Sequence, residues 1–253
     1  MKVIAVINQK GGVSKTTTAL ALFSIFNGRG LKTLVVDLDA QANLSFAAGA
    51  DTQGKTSYDV LMGACPAADA VQHLPEGDAI PAAGALSAAD TLLTKTGKEY
   101  RLKEALAALS GEYDFVILDT PPSLGILLVN ALTAADEAIV PAQADVFSLQ
   151  GIDQLADTIS AVQKYCNPGL KLAGILITRY NGRAILSRDM ASMMEKMAEQ
   201  LGTRLFRTKI REAVSVREAQ ARQKSLVAYS PRSKPAADYQ SFADEILEEC
   251  HAR

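Results

Sequence analysis

A chain of 253 residues, 48% apolar and 21% charged, has the length and composition of one large α/β domain or two small ones, and buries a core without disulfide or metal staples. Its net charge of −2 excludes a polycation, its three cysteines at 65, 166 and 250 exclude a disulfide framework or a paired-cysteine metal site, and no apolar run reaches the roughly 18 residues of a membrane span. The cysteines read as reduced thiols, and the apolar start gives way to Gln9-Lys10-Gly11-Gly12 too abruptly for a signal peptide, so a cytoplasmic protein is expected.

The run Val3-Ile4-Ala5-Val6-Ile7 is continuous and apolar, as in a strand buried on both faces. After a Gly-Gly turn, Ala19, Leu22, Phe23 and Phe26 recur at helical spacing and predict a helix over 16–27, stopped by Gly28 and Gly30. A second buried strand over 34–37 completes a βαβ unit, which implies a parallel sheet. Residues 49–97 are rich in Ala and Gly with weak periodicity, and only 79–80 reads as strand there. Beyond it the pattern predicts strands at 115–118, 137–140, 174–177 and 205–206, with helices over 102–109, 149–165, 185–201 and 236–249. Met190, Met193, Met194 and Met197 fall on helical spacing and read as core or dimer packing. No repeat or linker divides the chain. The expectation is a single domain, 1–253, built on one doubly wound, mostly parallel sheet flanked by helices.

The first turn, Lys10-Gly11-Gly12-Val13-Ser14-Lys15-Thr16-Thr17, lies between the first strand and the first helix. Glycines let backbone N–H groups curl around an anion, and the helix adds its positive end. In such a loop Lys15 reaches the β- and γ-phosphates and the Thr16 hydroxyl ligates Mg²⁺. The strict pattern GxxxxGK[ST] is not met, because Gln9 and Ser14 stand where its glycines belong. Asp119 ends an apolar strand on the side where α/β sheets bind ligands, well placed to hold Mg²⁺ opposite Thr16. Asp37 and Asp39 lie two apart at a strand end; if the strand stays extended they share one face, and spacing alone does not rank them.

The ten residues from Asn8 to Thr17 resemble the deviant Walker A loop of the ParA/MinD family of partitioning ATPases. Three further segments agree: Asp37-Leu38-Asp39-Ala40-Gln41-Ala42-Asn43, Asp119-Thr120-Pro121-Pro122, and Ser230-Pro231-Arg232-Ser233-Lys234 with Ala237-Asp238-Tyr239. The resemblance implies a P-loop ATPase fold and Mg²⁺-ATP as cofactor, cradled by Lys10 to Thr17. It implies Asp39 as the water-activating residue, with Lys15 and Lys10 as catalytic cations. Thr16, Asp37 and Asp119 would hold the metal. Lys10 would cross to a partner's nucleotide, making ATP the bond of a homodimer. On the base side the resemblance points to Asn181 and, more weakly, Arg211, because the Pro and Asn typical of that second loop are replaced by Ile210-Arg211-Glu212-Ala213.

Between Arg179 and Lys224 stand eleven Lys or Arg against five Asp or Glu. Few aromatics interleave them, which disfavours single-strand stacking. With the resemblance, the segment implies sequence-independent contact with the phosphates of double-stranded DNA, through candidates Arg183, Arg188, Arg207, Arg217 and Arg222. It further implies a ParB-like centromere-binding partner that stimulates hydrolysis, and association with the nucleoid. Operator binding of the kind seen in longer relatives is not expected. The alternative, a MinD-like positioning ATPase acting on a membrane or protein cargo, requires a basic amphipathic tail, whereas Asp244, Glu245, Glu248 and Glu249 make the closing helix acidic; no membrane partner is expected.

Overall fold

Strands made wholly of apolar residues cannot leave either face in water. The structure, a computed structural model that describes residues 1–182 and 184–251, covers both faces with helices. It opens with β1 (Lys2–Val6), α1 (Lys15–Gly28) and β2 (Thr33–Asp37). Short elements follow: α2 (Asn43–Ala48), α3 (Ser57–Met62), α4 (Ala67–Ala70), the hairpin β3 (Gln72–Leu74) with β4 (Gly77–Ile80), and α5 (Ala89–Leu92). Next come α6 (Arg101–Ala107), β5 (Phe115–Asp119), α7 (Ile126–Ala134), β6 (Glu137–Gln143) and α8 (Val146–Tyr165). The remainder is β7 (Lys171–Tyr180), α9 (Ile185–Gln200), β8 (Leu205–Arg211), α10 (Val214–Ala221), α11 (Leu226–Tyr229) and α12 (Lys234–His251).

One sheet takes the order β3-β4-β2-β5-β1-β6-β7-β8, parallel throughout except for the β3–β4 hairpin. β1 lies between β5 and β6, so the connections leave it in opposite directions, and the carboxyl ends of β1 and β5 open onto a crevice there. Alternate residues of each strand serve opposite cores. Ala5, Val36, Leu118 and Val140 face α6, α7, α8 and α9. Val6, Val35, Ile117 and Ile139 face α1, α11 and α12. Two aromatic contacts anchor the second layer, Phe26–Phe115 at 4.7 Å and Phe206–Phe242 edge-on at 4.9 Å.

Several elements depart from expectation. α7 is absent from the sequence reading because Ile126 to Ala134 is apolar nearly all round and carries no 3.6-residue stripe. It is held by Asp90, whose carboxylate accepts the Ile126 N–H, and by Asn130, whose amide donates to Lys98 O. The loosely placed 49–97 stretch resolves into short helices and the edge hairpin. Of the methionine row, Met190 and Met194 are buried while Met193 is exposed.

Candidate functional site

The loop between β1 and α1 turns twice through the left-handed region, at Gly12 (φ +76°) and at Ser14 (φ +68°). Ser14 thus takes the backbone that a glycine takes in the strict pattern, at a cost of about 1–2 kcal/mol. Lys15 follows as the first residue of α1 and is buried; its Nζ donates to Lys10 O at 3.2 Å. Burial pushes the Lys15 ammonium below its ordinary range, and the charges of Asp119 and Asp39 pull it back up.

Asp119 ends β5 in register with Val6 of β1 on one side and Asp37 of β2 on the other. Thr16 Oγ1 donates to Asp119 Oδ2 at 2.7 Å, while Asp119 Oδ1 is buried without a partner among the described residues. Burial, reinforced by the Asp37 charge, drives the Asp119 carboxyl well above the usual carboxylate range. A hydroxyl beside a carboxylate with a free buried oxygen is a donor set that suits a hard divalent cation. Among the described residues no three His, Cys, Asp or Glu side chains form a cage for a metal ion. Such a set matches Mg²⁺, which takes one or two protein ligands and completes its shell with phosphate oxygens and water.

Asp37 and Asp39 do not share a face. β2 ends at Asp37, and the chain turns at once: Asp39 N donates to Asp37 Oδ1 at 3.0 Å, and Ala42 N to Asp39 O at 2.8 Å. Asp37 Oδ2 accepts from Ser45 N at 2.9 Å and Ser45 Oγ at 2.7 Å. The Asp37 carboxylate, expected on a metal, therefore holds the loop before α2 through Oδ1 and α2 itself through Oδ2. Burial raises its carboxyl to about 6 against the pull of these hydrogen bonds. Asp39 instead lines a cavity of about 710 Å³ together with Gly11, Gly12, Ser14, Lys15, Thr16 and Thr17. Val13 lies outside that lining; its carbonyl accepts from Thr178 Oγ1.

The cavity continues to the ends of β7 and β8. Arg179 and Arg211 line it, and Asn181 stands outside the lining. Arg179 is left-handed (φ +51°) and its Nη2 pairs with Glu212 at 2.7 Å. Arg211 is forked onto Asp238, at 2.6 and 2.9 Å. Lys10 points away from the cavity: its Nζ pairs with Asp145 Oδ2 at 2.7 Å and lies over the exposed Phe147 ring at 5.8 Å. Asp145 also caps α8 by accepting Ser148 N. Sequence reasoning missed Asp145. Its capping pattern is legible, but its contact with Lys10, 135 positions away, is not.

The basic segment is less basic in space than in sequence, because the acids of α12 lie along β8. Arg207, a DNA candidate, pairs with Glu245 and Glu248, and Arg204 pairs with Glu249. Arg188, Arg217 and Arg222 are exposed and have no ion pair among the described residues. Arg183 lies outside the described residues.

Comparison with known proteins fits this geometry. The profile of the AAA domain family matches residues 1–172, and that of the 4Fe-4S iron sulfur cluster binding proteins of the NifH/frxC family matches residues 96–252. The chain is 36% identical to the sporulation initiation inhibitor protein Soj of Bacillus subtilis, over 97% of this chain and 98% of that one. It is 39% identical to the chromosome partitioning protein ParA of Caulobacter vibrioides, over 98% and 94%. A solved structure of a cobyrinic acid a,c-diamide synthase from Mycobacterium smegmatis, with bound ATP analog and magnesium, is 37% identical over 99% and 96% and superposes with a TM-score of 0.87.

Proposed function

Since this chain belongs to the ParA/Soj family of partitioning P-loop ATPases, we propose that it is an ATP-switched DNA-partitioning protein. The observation that carries the reading is the phosphate loop with Thr16 on Asp119 and the unpartnered Asp119 oxygen beside buried Lys15. In this reading the N–H groups of 11–16 and Lys15 bind the phosphates of ATP, and Thr16 and Asp119 hold Mg²⁺, which supplies neutralisation of the phosphate charge. Asp39 orients the attacking water and accepts its proton, and Asp37 positions Asp39 through its backbone N–H. Lys10 leaves Asp145 to reach the nucleotide of a second copy, where a cation supplied in trans is worth roughly 10³–10⁵ in rate. Hydrolysis yields ADP and phosphate and is slow until a ParB-like partner is engaged. The dimer binds duplex DNA through its phosphates, by way of Arg188, Arg217 and Arg222, in the cytoplasm on the nucleoid.

The test is binding to a random-sequence duplex with Mg-ATP, ADP or no nucleotide, repeated with Asp39→Ala and across a salt series. ATP-only binding that persists in Asp39→Ala and falls steeply with salt supports the switch; tight ATP binding with no DNA retention in any state sinks it. A second reading, an ATP-dependent amide-forming synthase, is motivated by the 37% identity to the Mycobacterium smegmatis synthase structure. It requires an amidated small-molecule product, which mass spectrometry of a reaction with ATP and an amide donor would detect.

A further inference from the structure

Two successive threonines on the first turn of α1 are read by the C-terminal helices. Thr18 Oγ1 lies 3.1 Å from the Tyr239 hydroxyl of α12, and Thr17 Oγ1 accepts from Gln220 Nε2 of α10 at 3.2 Å. The two contacts differ in what surrounds them. α12 is locked into the core by fully buried Ala236, Tyr239, Phe242 and Ala243, so the Thr18 contact belongs to a rigid joint. α10 has eight residues and buries only Ala219 among its side chains, and helices that short are not stable alone. Among the described residues, Gln220–Thr17 is the one side-chain hydrogen bond joining α10 to another element. The buried Ser215 hydroxyl at its start has no hydrogen-bond partner among the described residues. Arg217 and Gln220, one turn apart, both line the cavity that Lys15, Thr16 and Thr17 also line.

Building on the nucleotide-binding and DNA-binding reading above, we propose that α10 is the element through which the nucleotide governs the anion-binding surface, with Gln220 as its positioning residue. An occupant of the phosphate loop fixes Thr17, and Gln220 transmits that to α10. The exposed cations Arg217, on α10, and Arg222, just past its end, are thereby held in the arrangement that meets duplex phosphates. The device is a short helix held by buried Ala219, half-buried Val216 and one side-chain hydrogen bond to α1, so the shift expected from that bond is roughly two- to tenfold.

The test is amide hydrogen exchange of the full chain, with Mg-ATP and without nucleotide, in wild type, Gln220→Met, Thr17→Val and the double variant. Met keeps the volume of Gln and removes the donor; Val keeps the shape of Thr and removes the acceptor. Exchange in β1 reports that each variant is folded. The expected result is that Mg-ATP slows exchange across 214–221 in wild type. Either single substitution should reduce that protection by about two- to tenfold, and the double should do no more than either single. The ATP-over-ADP ratio of duplex DNA affinity should fall with it. Protection of 10–16 without any in 214–221, strictly additive variants, or an undiminished affinity ratio in Gln220→Met would overturn the proposal. No nucleotide-dependent protection in 10–16 either would overturn the nucleotide-binding reading itself, and this inference with it.

Discussion

At the scale of single residues, the phosphate loop stores strain at one position. Ser14 sits at φ +68° with no side-chain cap on α1 to compensate, so Ser14→Gly removes a Cβ penalty while adding unfolded-state entropy. The expected outcome is a net gain of about 0.5–1 kcal/mol in the free energy of urea unfolding. Lys10 is the second position of interest, because it is tied to its own chain rather than free to reach another. Asp145→Asn keeps an oxygen to cap α8 and removes the charge that holds Lys10. A partly exposed ion pair is worth about 0.2–1 kcal/mol, so Mg-ATP-dependent dimerisation followed by sedimentation should tighten by about 1.4- to fivefold. A dimerisation constant equal to wild type would mean that the pair does not restrain Lys10.

At the scale of elements, the edge strand β8 is protected by α12. Glu245 is buried and accepts the N–H groups of Arg207 at 2.8 Å and Thr208 at 3.1 Å, so its carboxylate finishes the hydrogen bonding of an open sheet edge. Burial works to raise this carboxyl, yet the N–H donors and the Arg204 charge hold it below its ordinary value. A depressed carboxylate contributes stability above its unfolded pKa and loses it as pH falls through the folded one. Glu245→Gln should therefore cost about 2 kcal/mol at pH 7, and the difference from wild type should close as pH falls below about 4. Equal destabilisation at pH 7 and pH 3 would assign the loss to packing instead. A second element-scale constraint is Gly174, where β7 passes β8: an added Cβ would stand 2.8 Å from the Phe206 ring and 3.0 Å from Arg204 O. Gly174→Ala should cost about 1–3 kcal/mol by thermal or chemical unfolding.

At the scale of the whole molecule, charge is distributed by folding rather than by sequence proximity. The acids that pair with Arg204, Arg207 and Arg211 come from α12, so much of the 179–224 excess is cancelled, and the exposed arginines without an ion pair among the described residues are Arg188 on α9, Arg217 on α10 and Arg222 just past its end. Each phosphate contact lowers the slope of log K against log salt by about 1. Arg217→Ala and Arg222→Ala should thus each reduce the magnitude of the slope for duplex DNA by about 1, and Arg207→Ala should leave it nearly unchanged. A slope change confined to Arg207→Ala would move the DNA face onto β8.

The order of buried strand, phosphate loop, helix and carboxylate-ended strands was determined by the sequence alone, because unbroken apolar runs, glycine turns and helical spacing act over a few residues. Thr16 and Asp119 were readable as partners for the same reason: each occupies a fixed place relative to its own strand end, and the parallel sheet brings those ends together. Only the tertiary structure decided what the remaining polar groups do. Asp37 faces Ser45 rather than the phosphate loop because β2 ends at Asp37 and the chain turns back. Lys10 meets Asp145 because β1 and β6 are neighbours in the sheet, and Gln220 meets Thr17 because α10 packs beside the first turn of α1. Side-chain pairing across 135 or 203 positions depends on strand order and helix placement, which no local pattern carries.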